Sequence, residues 1–330
     1  MSEATPDFGF RIGADRSVAA LEGAAAADPS SVLAQGAGEG GGYVWRHVQG
    51  SPEALAERLQ GFGLDEAVKT ALTAEETRPR CTPHGGGAIL VLRGVNLNLG
   101  AEPEDMVSLR LWVEEGQLVS CGVRPLKALQ DVAAMVRGGR APRAPGEMVA
   151  AFALRIADRA EPVVAELNEK LDAIAEGLEG ETLSETRRAL ADIRQVATGL
   201  RRYMFPQRDA LTTFEVEGFD WVSREALSHL REAIDRLTRL SEELDAIRDR
   251  AQIVHDQVMD ARAEQMNTQM FVLTIVSAFF LPIGFLTGLL GINVGGVPLA
   301  ENANGFVIVC GAICAVLIAQ YAVFKKLKLF

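Results

Sequence analysis

The amino-acid sequence predicts an α+β cytosolic domain that is followed by a long stalk helix and two C-terminal transmembrane helices. Three observations support this fold class. Short segments with alternating apolar residues, bounded by Gly and polar turns, fall within the first 145 residues. No Gly or Pro interrupts the chain between Ser223 and Pro282. Two apolar stretches near the C-terminus are long enough to cross a hydrocarbon core of about 30 Å.

The α+β domain is predicted to occupy residues 43–145. Alternating apolar residues indicate four strands of a small, mostly antiparallel sheet. These strands are expected at residues 43–48, 88–92, 106–113 and 118–122. Three helical patterns accompany them, at residues 52–60, 64–72 and 126–137. Ser51 and Pro52 provide the N-cap and first turn of the first helix.

The other boundaries follow from composition and periodicity. Residues 1–42 are rich in Ala, Gly and acidic side chains and lack the basic start and apolar core of a signal peptide, so we expect a weakly ordered leader. Residues 146–222 are expected to be helical, with helices to about 178 and from 182 to 202, then a connection punctuated by Pro206 and Gly218. The expected remainder is a stalk helix at 223–269, a first transmembrane helix at 270–293, an external loop at 294–304, a second transmembrane helix at 305–324 and a basic cytosolic end at 325–330.

Composition narrows the possible partners. The formal net charge of −11 makes nucleic acid an unsuitable partner and favours the accumulation of cations. The four cysteines do not form a spaced framework, so no disulfide is expected. Cys81 and His84 could begin a zinc site, but no second pair follows them. No catalytic set or phosphate loop stands out, so we expect neither an enzyme nor a resident cofactor.

The uncharged stretch from Asn267 to Asn293 has two different faces. At about 100° per residue, one face collects bulky apolar side chains, namely Val272, Ile275, Phe279, Ile283, Leu286 and Leu290. The opposite face, termed here the small/polar stripe, consists of Asn267, Met270, Thr274, Ser277, Leu281, Gly284 and Gly288. Such a stripe is typical of a packing seam between helices, which Gly284-x-x-x-Gly288 fits, or of a helix that lines a water path.

Groups suited to cations lie at both ends of this stripe. Traced back toward the stalk, the same face reaches Asp256, with Asp260 and Glu264 close to it, and carboxylates are hard ligands for divalent cations. A solvated stalk residue is equally compatible with the spacing. At the other end, Gly291-Ile292-Asn293 places a carboxamide oxygen after the last turn. A ring of such oxygens from several copies would hold a hydrated divalent ion through its waters.

The charges around the two spans predict their orientation. No Lys or Arg occurs between Met270 and Phe324, whereas Arg262 precedes this region and a Lys-rich end (residues 325–330) follows it. Under the positive-inside rule, both ends are cytoplasmic and the loop between the spans is external. The one charge in that loop is Glu301, which suits a cation entrance but also fits an ordinary solvated loop residue.

Taken together, residues 43–330 resemble the CorA family of divalent-cation channels and transporters. The order of parts matches, and within the family the chain resembles the ZntB-like branch of zinc transporters. Three segments carry this closer match: Thr77-Arg78-Pro79-Arg80, the nine residues from Arg201 to Asp209, and residues 280–298. Ile292 stands where the magnesium branch typically has Met, a departure that favours zinc.

The resemblance implies a funnel-shaped homopentamer in the bacterial inner membrane. The first span of each subunit would line one central pore, and the second would face lipid. Aligned on Gly291-Ile292-Asn293, the implied pore-facing positions are Asn267, Met270, Leu273, Leu281, Gly284 and Asn293, with Asp256 as the stalk carboxylate. Leu273 differs by one residue from Thr274, which the helical count places on that face.

We therefore expect a membrane transporter of divalent metal cations, with zinc ahead of magnesium, cobalt, nickel and cadmium. The expected pore face offers oxygens and the Met270 thioether, so the ion is expected to pass largely hydrated. The resemblance implies uptake aided by a proton gradient, with export as an open alternative. A magnesium, cobalt or nickel channel of the same family is the nearest alternative. A membrane-anchored sensor or tether is a second, which leaves the small/polar stripe without a role.

Overall fold

The structure, a computed structural model, describes residues 7–21, 42–177, 183–292, 294–298 and 302–326. The chain divides into two compact units, Met1–His255 and Asp256–Phe330. The first unit contains a sheet with helices on both faces. The second contains the C-terminal part of one long helix and a second apolar helix.

The order of strands and helices agrees with the predicted order, a mixed α/β domain followed by long helices. The strands are β1 (Phe8–Gly13), β2 (Val18–Leu21), β3 (Gly42–Gln49), β4 (Arg80–His84), β5 (Gly87–Gly94), β6 (Val107–Glu114) and β7 (Gln117–Gly122). The helices are α1 (Pro52–Leu59), α2 (Glu66–Thr73), α3 (Lys127–Arg137), α4 (Pro145–Glu176), α5 (Leu183–Glu217), α6 (Arg224–Leu290) and α7 (Gly305–Lys326). A short 3-10 turn, Gln60–Phe62, follows α1.

The sheet has the strand order β2-β1-β3-β7-β6-β5-β4. Neighbouring strands are antiparallel except for β3 and β7, which pair in parallel from Val44 opposite Gln117 to Gln49 opposite Gly122. The chain between β3 and β7 includes α1, α2 and the three strands that complete this side of the sheet. The mostly antiparallel sheet that the strand pattern predicts is therefore present, with seven strands among the described residues where four were predicted.

Both faces of the sheet are buried, and the side chains that alternate along each strand divide between two cores. Trp45 and Leu90 lie in the larger core, together with Phe152 of α4. Val48 and Trp112 lie in the smaller core, which α1 and α2 cover. Helix α1 begins as predicted: the Ser51 hydroxyl accepts a hydrogen bond from the Ala54 amide, and Pro52 occupies the first turn.

In the N-terminal half, one prediction was wrong and one strand was missed. Residues 8–21 form β1 and β2, although residues 1–42 were expected to be a weakly ordered leader. Burial of Phe10 and Ile12 against the sheet supplies the driving force, and β1 pairs with β3. Strand β4 was also missed, because Pro83 weakens a strand pattern. An edge strand tolerates proline, and β4 lies at the edge of the sheet.

The predicted helix end near residue 202 was wrong as well. Helix α5 continues through Pro206 to Glu217. A proline removes one helix hydrogen bond, but Met204, Leu211 and Phe214 on either side of it are buried in the larger core. Their packing keeps the helix continuous where local propensity favours a break.

Candidate ion-conducting helix

Helix α6 carries most of the residues singled out in the sequence. It is a single helix from Arg224 to Leu290, consistent with the absence of Gly and Pro before Pro282. In its first part, apolar residues at spacings of three and four are buried, among them Leu230, Leu237, Leu240, Leu244, Ile247 and Val254. Helices α6 and α7 are long and apolar enough to cross a membrane, by length and composition.

Side chains of α7 contact α6 within the described part of the second unit. The Phe279 and Phe324 rings stack with their centroids 5.4 Å apart. The Gln320 Nε2 atom donates a hydrogen bond of 2.9 Å to the Ala278 carbonyl oxygen. The half-buried residues of α6 and α7 lie on the same helix faces as these contacts. They are Ile275, Ala278, Phe279, Pro282, Ile283, Leu286 and Leu290 on α6, and Val309, Ile313, Val316, Leu317, Gln320 and Phe324 on α7.

The bulky face predicted for α6 is therefore, apart from Val272, the half-buried face that packs on α7. The small/polar stripe lies on the exposed side of the single chain. All its members, Asn267, Met270, Thr274, Ser277, Leu281, Gly284 and Gly288, are exposed. Met270 is 61% exposed and Leu281 is 76% exposed. Large exposed apolar side chains next to glycines mark a surface that lipid or further copies of the chain would cover.

The family alignment and the helical count named different pore-facing residues, Leu273 and Thr274, and both lie on the exposed side of α6. Leu273 is 66% exposed, and Thr274 is exposed as well. The Thr274 hydroxyl donates a hydrogen bond of 2.7 Å to the Met270 carbonyl, within the helix. This bond uses the hydroxyl hydrogen within the helix, so the Thr274 oxygen can serve a cation or water only as an acceptor.

The stalk carboxylates Asp256, Asp260 and Glu264 are all exposed and recur on α6 at intervals of four residues. Among the residues that the structure describes, no group of three or more His, Cys, Asp or Glu side chains is placed to hold a metal ion. The described part of a single chain therefore presents these carboxylates along one helix without gathering them into such a group.

Helix α6 ends at Leu290, directly before Gly291, the first residue of the tripeptide Gly291-Ile292-Asn293. The Gly291 amide donates to the Thr287 carbonyl at 3.0 Å and to the Gly288 carbonyl at 3.2 Å, which closes the last turn of α6. Gly291 has no positive φ; the nearest glycine that does is Gly296, at 95°. Gly291 and Ile292 are exposed. The predicted entrance residues Asn293 and Glu301 lie outside the described residues.

Cys81 and His84 do not form the start of a zinc site. They are three residues apart on β4, so their side chains point to opposite faces of the sheet. Cys81 packs against the larger core, and burial raises the pKa of its thiol to about 12. His84 forms a short ion pair with Asp65 and lies beside Trp112. The four cysteines are free.

Two segments that carry the ZntB-like resemblance meet at Arg93 on β5, a residue that sequence reasoning missed. The Arg93 guanidinium donates to the Thr77 carbonyl at 2.9 Å and also to the Thr77 hydroxyl. It lies 4.1 Å from the centre of the Tyr203 ring, and the Arg93 amide donates to Gln207 Oε1 at 2.5 Å. These segments thus join the sheet to α5, a structural role within the first unit.

Comparison with known proteins places the chain in a family. A family model described as "CorA-like Mg2+ transporter protein" matches residues 40–326. The chain is 39% identical over 288 residues to the divalent cation transporter CmaX of Pseudomonas aeruginosa, covering 86% of this chain and 87% of that protein. It is 31% identical over 267 residues to the zinc transport protein ZntB of Pectobacterium atrosepticum, covering 81% of each. The chain belongs to the CorA family of divalent-cation transporters.

Solved structures agree with this assignment. The full-length CmaX structure superposes with a TM-score of 0.82 at 34% identity, covering 99% of this chain and 100% of that one. The CorA magnesium transporter from Methanocaldococcus jannaschii gives a TM-score of 0.79 over 98% of each chain. Its 15% identity shows a shared fold. The α/β domain, the long helix and the C-terminal apolar helix are thus the fold of this family.

Proposed function

We propose that this protein is a homopentameric channel-like transporter that moves divalent metal cations, zinc foremost, along the small/polar stripe of α6. The observation that carries the proposal is the division of α6 into two faces. Its bulky face is occupied by α7, so the exposed face is left for contacts with other copies and for a water path. A stripe that starts with Asn267 and includes Thr274 and two glycines suits that role better than contact with lipid.

The proposed pore selects for cations that keep their water. Its lining offers amide and hydroxyl oxygens and the single thioether of Met270, whereas zinc prefers nitrogen and sulfur ligands. The ion therefore passes largely hydrated, with Met270 and Leu281 as apolar constrictions that slow it at rest. We propose zinc as the main ion because some relatives of this chain are zinc transport proteins called ZntB. Magnesium, cobalt, nickel and cadmium are the ions to compare with it.

The proposed orientation places the entrance outside the cell. The protein lies in a bacterial inner membrane with both chain ends on the cytoplasmic side. This orientation follows from the positive-inside rule, because Lys325 and Lys326 end α7 and no Lys or Arg occurs in the connection between α6 and α7. Asn293 captures the hydrated ion at the outer end, with Glu301 as a looser charge nearby. Asp256 gathers cations at the cytoplasmic end. Uptake aided by a proton gradient is the direction that the ZntB-like resemblance implies.

Purified full-length protein in liposomes that contain a zinc-sensitive dye tests this function. We expect zinc to enter faster than in protein-free liposomes, and faster still when the outside is made acidic. Magnesium, cobalt, nickel and cadmium added in turn as competitors rank the ions. If a folded protein in correctly formed liposomes moves none of these ions, the transporter proposal fails, and the membrane-anchored tether is the remaining interpretation.

A further inference from the structure

Gln320 is a polar side chain in an otherwise apolar span. It is half-buried, and its Nε2 donates to the Ala278 carbonyl oxygen of α6 at 2.9 Å. A backbone carbonyl can only accept, so this contact fixes which end of the amide faces α6. The Gln320 Oε1 atom is buried and accepts no hydrogen bond within the described part of the chain. One hydrogen bond to one carbonyl therefore sets the orientation of this side chain.

That carbonyl is the one that Pro282 leaves without a helix donor. In an α-helix the carbonyl of residue i accepts from the amide of residue i+4, and the fourth residue after Ala278 is Pro282. Proline has no amide hydrogen, so the helix bond to Ala278 cannot form. A carbonyl without a donor is strongly unfavourable in hydrocarbon, where water cannot replace the missing donor. The Gln320 side chain lies at the position where a donor is needed.

We propose that Gln320 is a positioning residue that replaces the hydrogen bond removed by Pro282 and so holds the first span against the second. We call this arrangement the Pro282–Gln320 clasp. Its transport consequence rests on the proposed function, because Pro282 follows Leu281 and lies two residues before Gly284, both members of the small/polar stripe. The stacking of Phe279 on Phe324 is a second contact between the same two helices, so losing the clasp should shift α6 near Leu281 without separating the helices.

A double-mutant cycle tests the clasp directly. Gln320→Met keeps the length and volume of the side chain but removes the donor. We expect it to lower the thermal midpoint of the full-length protein in detergent. We also expect it to raise basal zinc flux by about two- to tenfold, the range expected for losing one intramolecular hydrogen bond. Pro282→Ala restores an amide hydrogen to the helix, so adding Gln320→Met to it should change neither quantity further.

The matched control is Leu317→Met, which makes the same replacement residue on the same half-buried face without removing a hydrogen bond. Pro282→Leu is a second background, because any residue other than proline supplies the missing amide. If Gln320→Met fails to fold and Pro282→Ala or Pro282→Leu restores it, the clasp is supported in the same way. The clasp is rejected if Gln320→Met matches Leu317→Met, or if its effect is undiminished in both Pro282 backgrounds.

The two readouts separate this inference from the proposed function. The thermal midpoints need no transport, so they decide the clasp even if wild-type protein moves no ion. If wild-type protein moves zinc while the cycle is additive in midpoint and flux, the clasp fails and the proposed function stands.

Discussion

Single side chains supply partners for backbone groups at the points where this fold departs from regular secondary structure. The fully buried Gln207 accepts from the Arg93 amide at the end of β5, where the sheet meets α5. Gln320 donates to the Ala278 carbonyl, which Pro282, four residues later, cannot reach with an amide hydrogen. Leaving either backbone group buried without a partner would cost about 1–3 kcal/mol. Single neutral amide side chains thus connect one element of the fold to the next by bonding to its backbone.

Asn293 is the residue on which the proposed entrance depends. Replacing it with Ala removes a carboxamide oxygen from each subunit of the proposed ring, and in that proposal those oxygens would accept hydrogen bonds from the water shell of the ion. Hydrogen bonds to charged groups are worth about 1.5–3 kcal/mol, so we expect zinc uptake at sub-saturating concentration to fall about tenfold or more. Initial uptake rates in liposomes at matched protein levels measure this change.

Glu301→Ala is the matched control for Asn293→Ala, because it alters the same connection between α6 and α7 without touching the tripeptide. We expect it to reduce uptake less. Asn293→Asp adds a charge and should bind zinc more tightly while releasing it more slowly. Equal transport by Asn293→Ala and wild type would make Gly291-Ile292-Asn293 a helix end and place the entrance elsewhere.

At the scale of elements, the two faces of α6 make opposite predictions for water access. Cysteines placed at Thr274 and Leu281, on the exposed stripe, should react with a membrane-impermeant thiol reagent. Cysteines placed at Phe279 and Leu286, on the face packed against α7, should not. We expect a difference in labelling rate of about tenfold or more, since a side chain buried in a helix contact or in lipid meets little water. Mass spectrometry of labelled protein measures it.

The native cysteines determine the background for this scan. Cys310 and Cys314 are exposed on α7 and need replacement. Cys121 can stay, because burial raises the pKa of its thiol to about 12 and the reactive thiolate is then scarce at neutral pH. The same holds for Cys81, whose pKa burial also raises to about 12. Labelling of Phe279→Cys in preference to Leu281→Cys would reverse the proposed assignment of the two faces.

The sequence predicted elements best where a periodic pattern was long or a cap was explicit. The apolar spacing in α6 and the Ser51-Pro52 start of α1 are both present in the structure. Tertiary contacts overrode local signals elsewhere: β1 forms by pairing with β3, and packing carries α5 past Pro206. The role of Gln320 could not be predicted, because its hydrogen-bond partner Ala278 is distant in the sequence and only the fold brings the two residues together.

At the scale of the whole molecule, acidity accompanies the proposed cation path. The formal net charge is −11, and α6 carries Asp256, Asp260 and Glu264 before its apolar part. Copies arranged around an axis would bring carboxylates from different chains together, whereas the described part of a single chain has no group of them placed to hold a metal ion. Such a field attracts cations over roughly 30 Å at 0.01 M salt but only about 8 Å at 0.15 M.

Zinc flux at sub-saturating concentration should therefore fall as inert salt rises from about 0.01 to about 0.15 M, and Asp256→Asn should lower it several-fold at the low-salt end. Asp220→Asn, which changes the net charge equally but lies before α6 begins, is the control and should have a smaller effect. The comparison is made as initial rates in liposomes, with choline chloride as the salt so that no second metal competes. Because screening weakens the wild-type field, the difference between Asp256→Asn and wild type should shrink as salt is added. Rates that depend on neither salt nor Asp256 would show that the carboxylates are ordinary solvated residues, and that ions reach the path without electrostatic help from the stalk.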